Sequence, residues 1–425
     1  MPPIRFIHAA DLHLDAAFSG LSRDIPADFA ERLRTATFTA FRRLLDLCER
    51  ESPDFLLLAG DVYNQEDASV SAQLALRDGF RRLESLSIPV FLVHGNHDPL
   101  ASRLRSVRWP GNVTVFGELP DAVPVFRKGE GTPLAIIHGA SHASGRETRN
   151  LAALFRRTEA CGLHVGLLHA TPGDADGVAR YAPFSQEDLK ASGMDYWALG
   201  HIHDRREVCR EPLAAYPGCT QGLHINEPGE KGCLLVTAEA RPDGGYAVRT
   251  SFRPLGPAVW KTLDMDLGGA ASLDELENRL RTGLDRAAAE VWSGCEMLLV
   301  RLRLQGRTEQ DGLLRKGTTC AELADRLRED GSGVPRIWIK DIDVATRPCV
   351  ERGALLERED LLGEVFRLSE AARTASGLQA LREGPLAPLF AHARAGKALE
   401  PLTDEELARL LDDAESLCLD LLEND

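Results

Sequence analysis

Long apolar runs are missing from this 425-residue chain. Residues 55–59 are typical of the longest candidates, far short of the ~18 residues that predict a membrane-spanning helix. A basic region followed by an apolar stretch is missing at the start, where Met1-Pro2-Pro3 runs straight into the strand-like Ile4-Arg5-Phe6-Ile7; no secretory signal is expected. The nine cysteines, at 48, 161, 209, 219, 233, 295, 320, 349 and 418, are scattered and never spaced C-x-x-C. That pattern predicts reduced thiols in a cytoplasmic protein, with neither a disulfide frame nor a thiolate zinc site. Positive charge is in deficit, with 50 Lys+Arg against 65 Asp+Glu for a formal net charge of −15. The deficit is uneven: residues 401–425 carry 1 basic and 9 acidic residues, whereas residues 1–250 carry 27 and 32. Internal repeats and low-complexity segments are also absent. What is present is ordinary for a folded protein, 44% hydrophobic and 27% charged residues, at a length that suggests two or three domains.

Strand-like runs at residues 4–8, 54–59, 89–94, 134–138, 164–169 and 195–199 alternate with helix-period stretches at 27–50, 69–86 and 147–160. The alternation predicts an α/β sheet with helices on its faces. Two further strands, 232–238 and 245–253, follow a turn-rich segment, and the composition changes around Pro254-Leu255-Gly256-Pro257. Residues 258–345 then read strand, helix, strand, helix, strand, a small α+β unit. Beyond Pro348 the pattern is helical, including 354–373 and 404–422. The last helix opens on the capping box Thr403-x-x-Glu406 and places Leu407, Leu410, Leu411, Ala414, Leu417 and Leu421 on one stripe. The expected segments are therefore 1–255, 256–348 and 349–425.

Polar residues close several of the apolar runs, and ligands of open α/β sheets sit outside the carboxyl ends of strands. In order they are Asp11-Leu12-His13, Gly60-Asp61-Val62-Tyr63-Asn64, Gly95-Asn96-His97-Asp98, His169 and Gly200-His201-Ile202-His203. All are oxygen or imidazole donors without a thiolate, a set that suits Mn²⁺, Fe or Zn²⁺ beside phosphate oxygen. Residues two apart leaving a strand share a face, so Asp11 with His13, and His201 with His203, can each converge on one point. One carboxylate, Asp61, can bridge two cations about 3.5–4 Å apart, the separation suited to phosphoryl transfer.

This series resembles the calcineurin-like metallophosphoesterase family, whose pattern is D-x-H, G-D-x-x-[D/H/N], G-N-H-[D/E], H and G-H-x-H. Its DNA-repair exonuclease branch, the SbcD-type nucleases and their YhaO-like relatives, is resembled by Phe6 to Asp15, by Ala198 to His203, by Tyr216-Pro217-Gly218-Cys219-Thr220-Gln221 and by Gly229-Glu230-Lys231-Gly232. The resemblance implies a metallophosphoesterase β-sandwich flanked by helices, a small α+β cap and a helical tail. It implies two divalent cations, Mn²⁺ foremost with Fe or Zn as alternatives. One would sit on Asp11, His13, Asp61 and His203, and the other on Asp61, Asn96, His169 and His201. His97 would protonate the leaving oxygen or stabilise its charge, and Asp98 would orient the His97 imidazole. Asn64 stands where several nucleases of the branch carry a phosphate-contacting His, which bears on exonuclease strength or polarity.

Weaker candidates surround this set. Arg103, Arg105 and Arg108, followed by Trp109, are candidate phosphate contacts or a solvated helix face, and so are Arg205 and Arg206. His8, His94, His138, His142, His164, His224 and His392 read as structural or surface residues. The expected activity is a Mn²⁺-dependent DNA exonuclease, with endonuclease action alongside, in DNA repair. The rivals are a phosphodiesterase or phosphatase on a small substrate, and a non-catalytic scaffold. Asn64-Gln65-Glu66 and Asp98 argue against a protein phosphatase, which typically shows G-D-x-x-D-R-G and G-N-H-E. The chain has no G-x-x-x-x-G-K-[S/T], so an ATP-driven step needs a partner. The resemblance implies DNA and an SMC-like coiled-coil ATPase of the SbcC or YhaN type as partners, the ATPase docking on the C-terminal helices. It also implies a homodimer through helices near 69–86 and 100–108.

Overall fold

Alternation along the central strands decides the layers. The computed structural model describes residues 2–21, 25–64, 69–101, 107–173, 180–242, 244–329, 333–349, 352–391 and 402–422. The chain opens with β1 (Ile4–Ala9), α1 (Ala27–Arg34), α2 (Ala36–Glu51), β2 (Phe55–Ala59), α3 (Val70–Ser85), β3 (Val90–Val93) and β4 (Val113–Val115). Next come β5 (Asp121–Val125), β6 (Ala135–Ala140), β7 (Leu163–His169), α4 (Gln186–Ala191), β8 (Tyr196–Gly200), β9 (Arg206–Arg210) and β10 (Leu213–Tyr216). β11 (Gly232–Ala240) and β12 (Tyr246–Pro254) return to the first sheet, whose order is β12-β11-β1-β2-β3-β4; the second is β5-β6-β7-β8-β10-β9.

Phe6, Phe55, Leu57, Phe91 and Val93 of the first sheet meet Ile137, Val165, Leu167, Tyr196 and Ala198 of the second, with the Phe6 and Phe55 rings stacked at 4.7 Å. The intervening residues Ile7, Leu56, Leu58, Val90 and Leu92 face outward onto Phe41 and Leu44 of α2 and Leu76 and Phe80 of α3. On the other side Leu168, Trp197 and Leu199 pack with Phe155 and Leu189. A period of two thus gives a sandwich with both outer faces covered. The β1-β2-β3 and β6-β7-β8 ladders are parallel, so their carboxyl ends gather at one edge of each sheet.

The helix expected over 147–160 is reduced to a 3-10 turn at Ala152–Leu154. Local side-chain bonds compete there with a helix: Glu147 accepts from the Arg149 N–H at 2.9 Å and Asn150 from the Ala153 N–H at 3.0 Å. Leu151, Ala152 and Phe155 still reach the sheet, with Phe155 4.8 Å from Trp197.

The chain continues through β13 (Ala258–Asp266), α5 (Leu273–Glu290), β14 (Met297–Gln305), β15 (Arg307–Thr308), α6 (Asp311–Leu314), α7 (Thr319–Glu329), β16 (Arg336–Val344) and β17 (Arg347–Pro348). β13, β14 and β16 form a three-stranded parallel sheet, with α5 and α7 as the crossovers that parallel strands require. Trp260, Met297, Leu299 and Trp338 of this sheet pack on Phe29, Leu33 and Ala36 at α1 and the start of α2.

Two compact units result. One comprises Met1–Leu267, Ser272–Gly306 and Leu313–Ala345; the other comprises Gly268–Ala271, Arg307–Gly312 and Thr346–Asp425. The second unit contains the short β15–β17 pair and the helices α8 (Arg352–Leu356), α9 (Leu361–Ala372), α10 (Ala375–Glu383), α11 (Ala387–Ala391) and α12 (Asp404–Leu422). Leu355, Leu362, Phe366 and Leu419 form its small core. The expected capping box is present: the Thr403 N–H donates to Glu406 at 2.7 Å and the Glu406 N–H to Thr403 Oγ1 at 3.3 Å.

The stripe expected on α12 divides into two faces. Leu407, Glu415 and Leu419 are buried, whereas Leu410, Ala414, Leu417 and Leu421 form a second, exposed row, with Leu417 59% and Leu421 65% accessible. Arg352 and Arg373 draw Glu415 inward, at 2.5 and 3.2 Å, and rotate the leucine row toward solvent. Among the described residues no helix is long and apolar enough to cross a membrane.

Candidate metal centre

The loops after β1 and β2 are zipped together by main-chain bonds: Asp11 N to Gly60 O at 3.1 Å, His13 N to Asp61 O at 3.1 Å and Leu14 N to Val62 O at 3.0 Å. Asp11, His13, Asp61 and His201 all have positive φ, at 50°, 40°, 51° and 105°, in a region that non-glycine residues rarely occupy. Such strain persists only where surrounding bonds over-determine it, and it concentrates at functional sites. Gly95 and Gly200 allow the close approach of the strands. A Cβ at Gly95 would collide with Asp61 and the His169 ring, and one at Gly200 with the Ala59 carbonyl.

Two groups of donors result, Asp11 with His13 and His203, and Asp61 with His169 and His201; within each, the ligand atoms lie within 4.8 Å of one another. In the first, the Nε2 atoms of His13 and His203 approach to 3.1 Å. Their Nδ1 atoms are directed to acceptors, Asn64 Oδ1 at 2.6 Å and Glu227 Oε1 at 2.5 Å, so both Nε2 lone pairs face one point. In the second, His169 Nδ1 donates to the Ala59 carbonyl at 2.9 Å. Its Nε2 lies 3.0 Å from Asn96 Oδ1 and 3.3 Å from Asp61 Oδ2, and His201 Nδ1 is 3.2 Å from the same Asn96 oxygen. Converging lone pairs and buried carboxylates are the arrangement a divalent cation satisfies. These are two Asp/His metal sites of the kind that dimetal phosphoesterases use.

Burial raises the Asp11 carboxyl above the ordinary carboxylate range, against the pull of His169 and His203. Burial acts the same way on Asp61, but His169 beside it prevails and holds it low. Conversely, burial would lower His169, and the Asp61 and Asp11 carboxylates instead hold it at about 9. His203 is raised in the same manner, burial being outweighed by Glu227 and Asp11. Glu227 is held at about 2, its burial outweighed by the His203 hydrogen bond. In the cation-free protein, protons occupy positions that a cation would take, so metal binding competes with protonation.

The seven expected ligands, Asp11, His13, Asp61, Asn96, His169, His201 and His203, come together at one edge of the sandwich. His97 is exposed on the rim, its N–H donating to Asp61 Oδ1 at 2.9 Å and its ring 5.2 Å from that of His13. Asp98 departs from the expectation. It is fully buried, accepts from the N–H groups of Gly95, Val62 and Asp61 at 2.7, 3.1 and 3.3 Å, and lies 3.2 Å from His94 Nδ1 rather than bonding the His97 imidazole. Its work is to tie the loops after β2 and β3 together. Asn64, expected at the substrate, turns its side-chain oxygen to His13. Arg103, Arg105 and His392 lie outside the described residues, as does most of the 100–108 segment. Arg205 and Arg206 lie over Phe252 and Tyr216, at 4.0 and 5.5 Å.

Three histidines taken as structural support the centre directly. His94 adjoins Asp98, His142 Nε2 bonds the His169 carbonyl at 2.6 Å, and His224 lies 3.2 Å from Glu227. Only His94 and His224 had a local cue, lying next to a matched motif and three residues before a Glu.

Residues 4–205 match the calcineurin-like phosphoesterase family, and residues 260–347 match the middle domain of the metallophosphoesterase YhaO. An uncharacterized metallophosphoesterase, YhaO of Bacillus subtilis (strain 168), is 33% identical over 386 residues, covering 90% of this chain and 91% of its own. The DNA double-strand break repair protein Mre11 of Aeropyrum pernix is 27% identical over 319 residues, covering 68% of this chain and 69% of its own. Among solved structures, a dimetal phosphatase from Danio rerio matches at 14% identity and a TM-score of 0.33, covering 59% of this chain and 99% of that one. With YhaO matched along nearly its whole length and both donor groups assembled, the chain belongs to the YhaO-like calcineurin-like metallophosphoesterases, metal-dependent phosphoesterases related to the Mre11 proteins.

Proposed function

We propose that this phosphoesterase is a two-cation DNA nuclease, primarily an exonuclease, that hydrolyses phosphodiester bonds at DNA ends in repair. The observation that carries the reading is the pair of donor groups, Asp11 with His13 and His203 and Asp61 with His169 and His201, with an exposed imidazole, His97, whose main-chain N–H donates to Asp61. Two divalent cations bound there, Mn²⁺ foremost, would supply Lewis acidity to the phosphoryl oxygens and to a nucleophilic water.

The chain's own residues do the rest. Asp11, His13 and His203 would hold one cation, and Asn96, His169 and His201 the other, with Asp61 as the carboxylate that would serve both. His97, exposed on the rim and placed beside the scissile phosphate, gives its proton to the departing oxygen as general acid. Asp98 acts as a positioning residue, fixing the loops that carry Asp61 and Asn96. Asn64 acts through His13, and Arg103 and Arg105 contact the DNA phosphates in this reading. The relationship to proteins named for double-strand break repair supports DNA as the substrate.

The proposal assigns the chemistry to residues 1–255, a capping role to 256–348 and partner docking to 349–425. The exposed row Leu410, Ala414, Leu417 and Leu421 supports docking of an SMC-like coiled-coil ATPase, since apolar rows on helices pair with apolar seams. The net charge of −15 implies that the isolated chain binds DNA modestly and in a salt-sensitive way. The test is hydrolysis of end-labelled linear duplex and single-stranded DNA with Mn²⁺, beside bis-(p-nitrophenyl) phosphate and a His97→Ala control. DNA degradation that the variant loses supports the reading. Hydrolysis of the small diester with DNA left whole would move the assignment to a small-substrate phosphodiesterase, or to a nuclease inactive without its ATPase; adding the ATPase separates these.

A further inference from the structure

Outside the matched motifs, the segment after β10 brings a second set of polar groups against His203. Glu227 is only 6% exposed, and its Oε1 lies 2.5 Å from His203 Nδ1. Its other oxygen is fixed by the Leu223 N–H at 2.7 Å, and His224 Nε2 stands 3.2 Å from Oε1. Lys231 secures the main chain of the same loop, donating to the His203 carbonyl at 3.1 Å and to Asp204 at 2.9 Å. The imidazole is therefore held at its ring nitrogen and at its backbone.

We propose that Glu227, steadied by Leu223 and His224, is the positioning residue that aims His203 Nε2 at the cation shared with Asp11 and His13. The inference rests on the reading of that group as a cation site. An imidazole has two ring nitrogens, and only a partner on one of them decides which presents a lone pair. A carboxylate on Nδ1 fixes the tautomer and the ring plane, and its charge makes the ring a stronger donor. His13 has the neutral counterpart, Asn64, and His169 a main-chain carbonyl. Glu227 is thus an ionised group acting on one of the two sites and on only one of its ligands.

A rival arrangement exists in the same place. His203, Cys219 and Glu227 form a third trio of donors within 4.8 Å. The 2.5 Å between Glu227 and His203 argues against a cation there, because ligands each about 2.0–2.2 Å from a zinc-like ion in tetrahedral geometry stand more than 3 Å apart.

The test is Mn²⁺ titration of the full chain by calorimetry, with bound Mn²⁺ counted by electron paramagnetic resonance, for the wild type, Glu227→Gln, Glu227→Ala and Cys219→Ala. The wild type should bind two Mn²⁺ per chain. Glu227→Ala should weaken one site by about 10–100-fold and leave the other unchanged, the usual cost of losing such a partner. Glu227→Gln, which retains an acceptor oxygen but not the charge, should fall between. Cys219→Ala should match the wild type. Two wild-type affinities in both Glu227 variants would overturn the proposal, as would equal weakening of both sites, which is the mark of a merely structural role. Loss of a cation in Cys219→Ala would make Glu227 a ligand and overturn it too. Should Glu227→Ala fail to fold, the isosteric Glu227→Gln decides. Fewer than two Mn²⁺ on the wild type would instead sink the underlying reading of the centre.

Discussion

The two donor groups use the same residue types but are fixed by different means. The Asp61, His169 and His201 group leans on the backbone: His169 bonds the Ala59 carbonyl, and Gly95 and Gly200 bring the strands close enough to clamp it. The Asp11, His13 and His203 group leans on side chains, Asn64 and Glu227, that arrive from separate loops. Main-chain anchoring is inherited from the fold, with the Asp98 carboxylate pinning the same loops, and is broken by disturbing the sheets or that one side chain. Side-chain anchoring can be tuned one residue at a time. The difference teaches that a symmetric-looking pair of sites can have one member set by architecture and one set by chemistry.

The largest effect is expected where the two groups meet. Asp61→Ala should remove the shared carboxylate, abolish two-cation binding and reduce hydrolysis by roughly 10³-fold or more, the several kcal/mol attributed to metal catalysis; Mn²⁺ titration and kcat on the small diester measure it. His97→Ala should lower kcat by about 10²–10⁴-fold while both cations stay bound, which separates proton transfer from the anchoring of either group. Gly95→Ala strikes the backbone-anchored group. Its new methyl has no room beside Asp61 and His169, so we expect a destabilisation of about 1–3 kcal/mol and weakened cation binding that falls hardest on the His169 site, read by thermal melting and Mn²⁺ titration.

Proton competition bears on both groups, since His169 and His203 are each raised by neighbouring carboxylates. With His169 held at about 9 in the cation-free protein, Mn²⁺ must displace a proton, so affinity at that site should rise with pH and level off above about 9. The same raised value stabilises the cation-free fold below its ordinary 6.5, and that contribution disappears as pH climbs through about 9. Melting curves with and without Mn²⁺ across this range check both. The smallest intramolecular effect is expected in the other unit: Leu417→Glu should leave stability within about 0.5 kcal/mol and hydrolysis unchanged, yet prevent capture by a coiled-coil ATPase.

Much of this was legible in the sequence because the strands are short, fully apolar and end abruptly in donors. Leu56 to Ala59 followed by Asp61, and Val165 to Leu168 followed by His169, place polar donors at strand ends without any knowledge of distant contacts, and the family resemblance supplies the expectation that they are ligands. The capping box at Thr403 was local and therefore readable. Glu227 was not, since its meaning comes from a loop folding back onto His203, 24 residues earlier. The same holds for Asp98, whose partners lie 36 and 37 residues away on the neighbouring strand end as well as within its own loop. The α12 stripe was misread because binary pattern ignores an ion pair, and Arg352 with Arg373 turned Glu415 inward in place of Leu417.

The most direct test of a two-cation centre is anomalous diffraction at the manganese edge from crystals grown with Mn²⁺. The account predicts two peaks about 3.5–4 Å apart, one among Asp11, His13 and His203, the other among Asn96, His169 and His201, with Asp61 between them. A single peak, or one seated between Glu227 and Cys219, would contradict it.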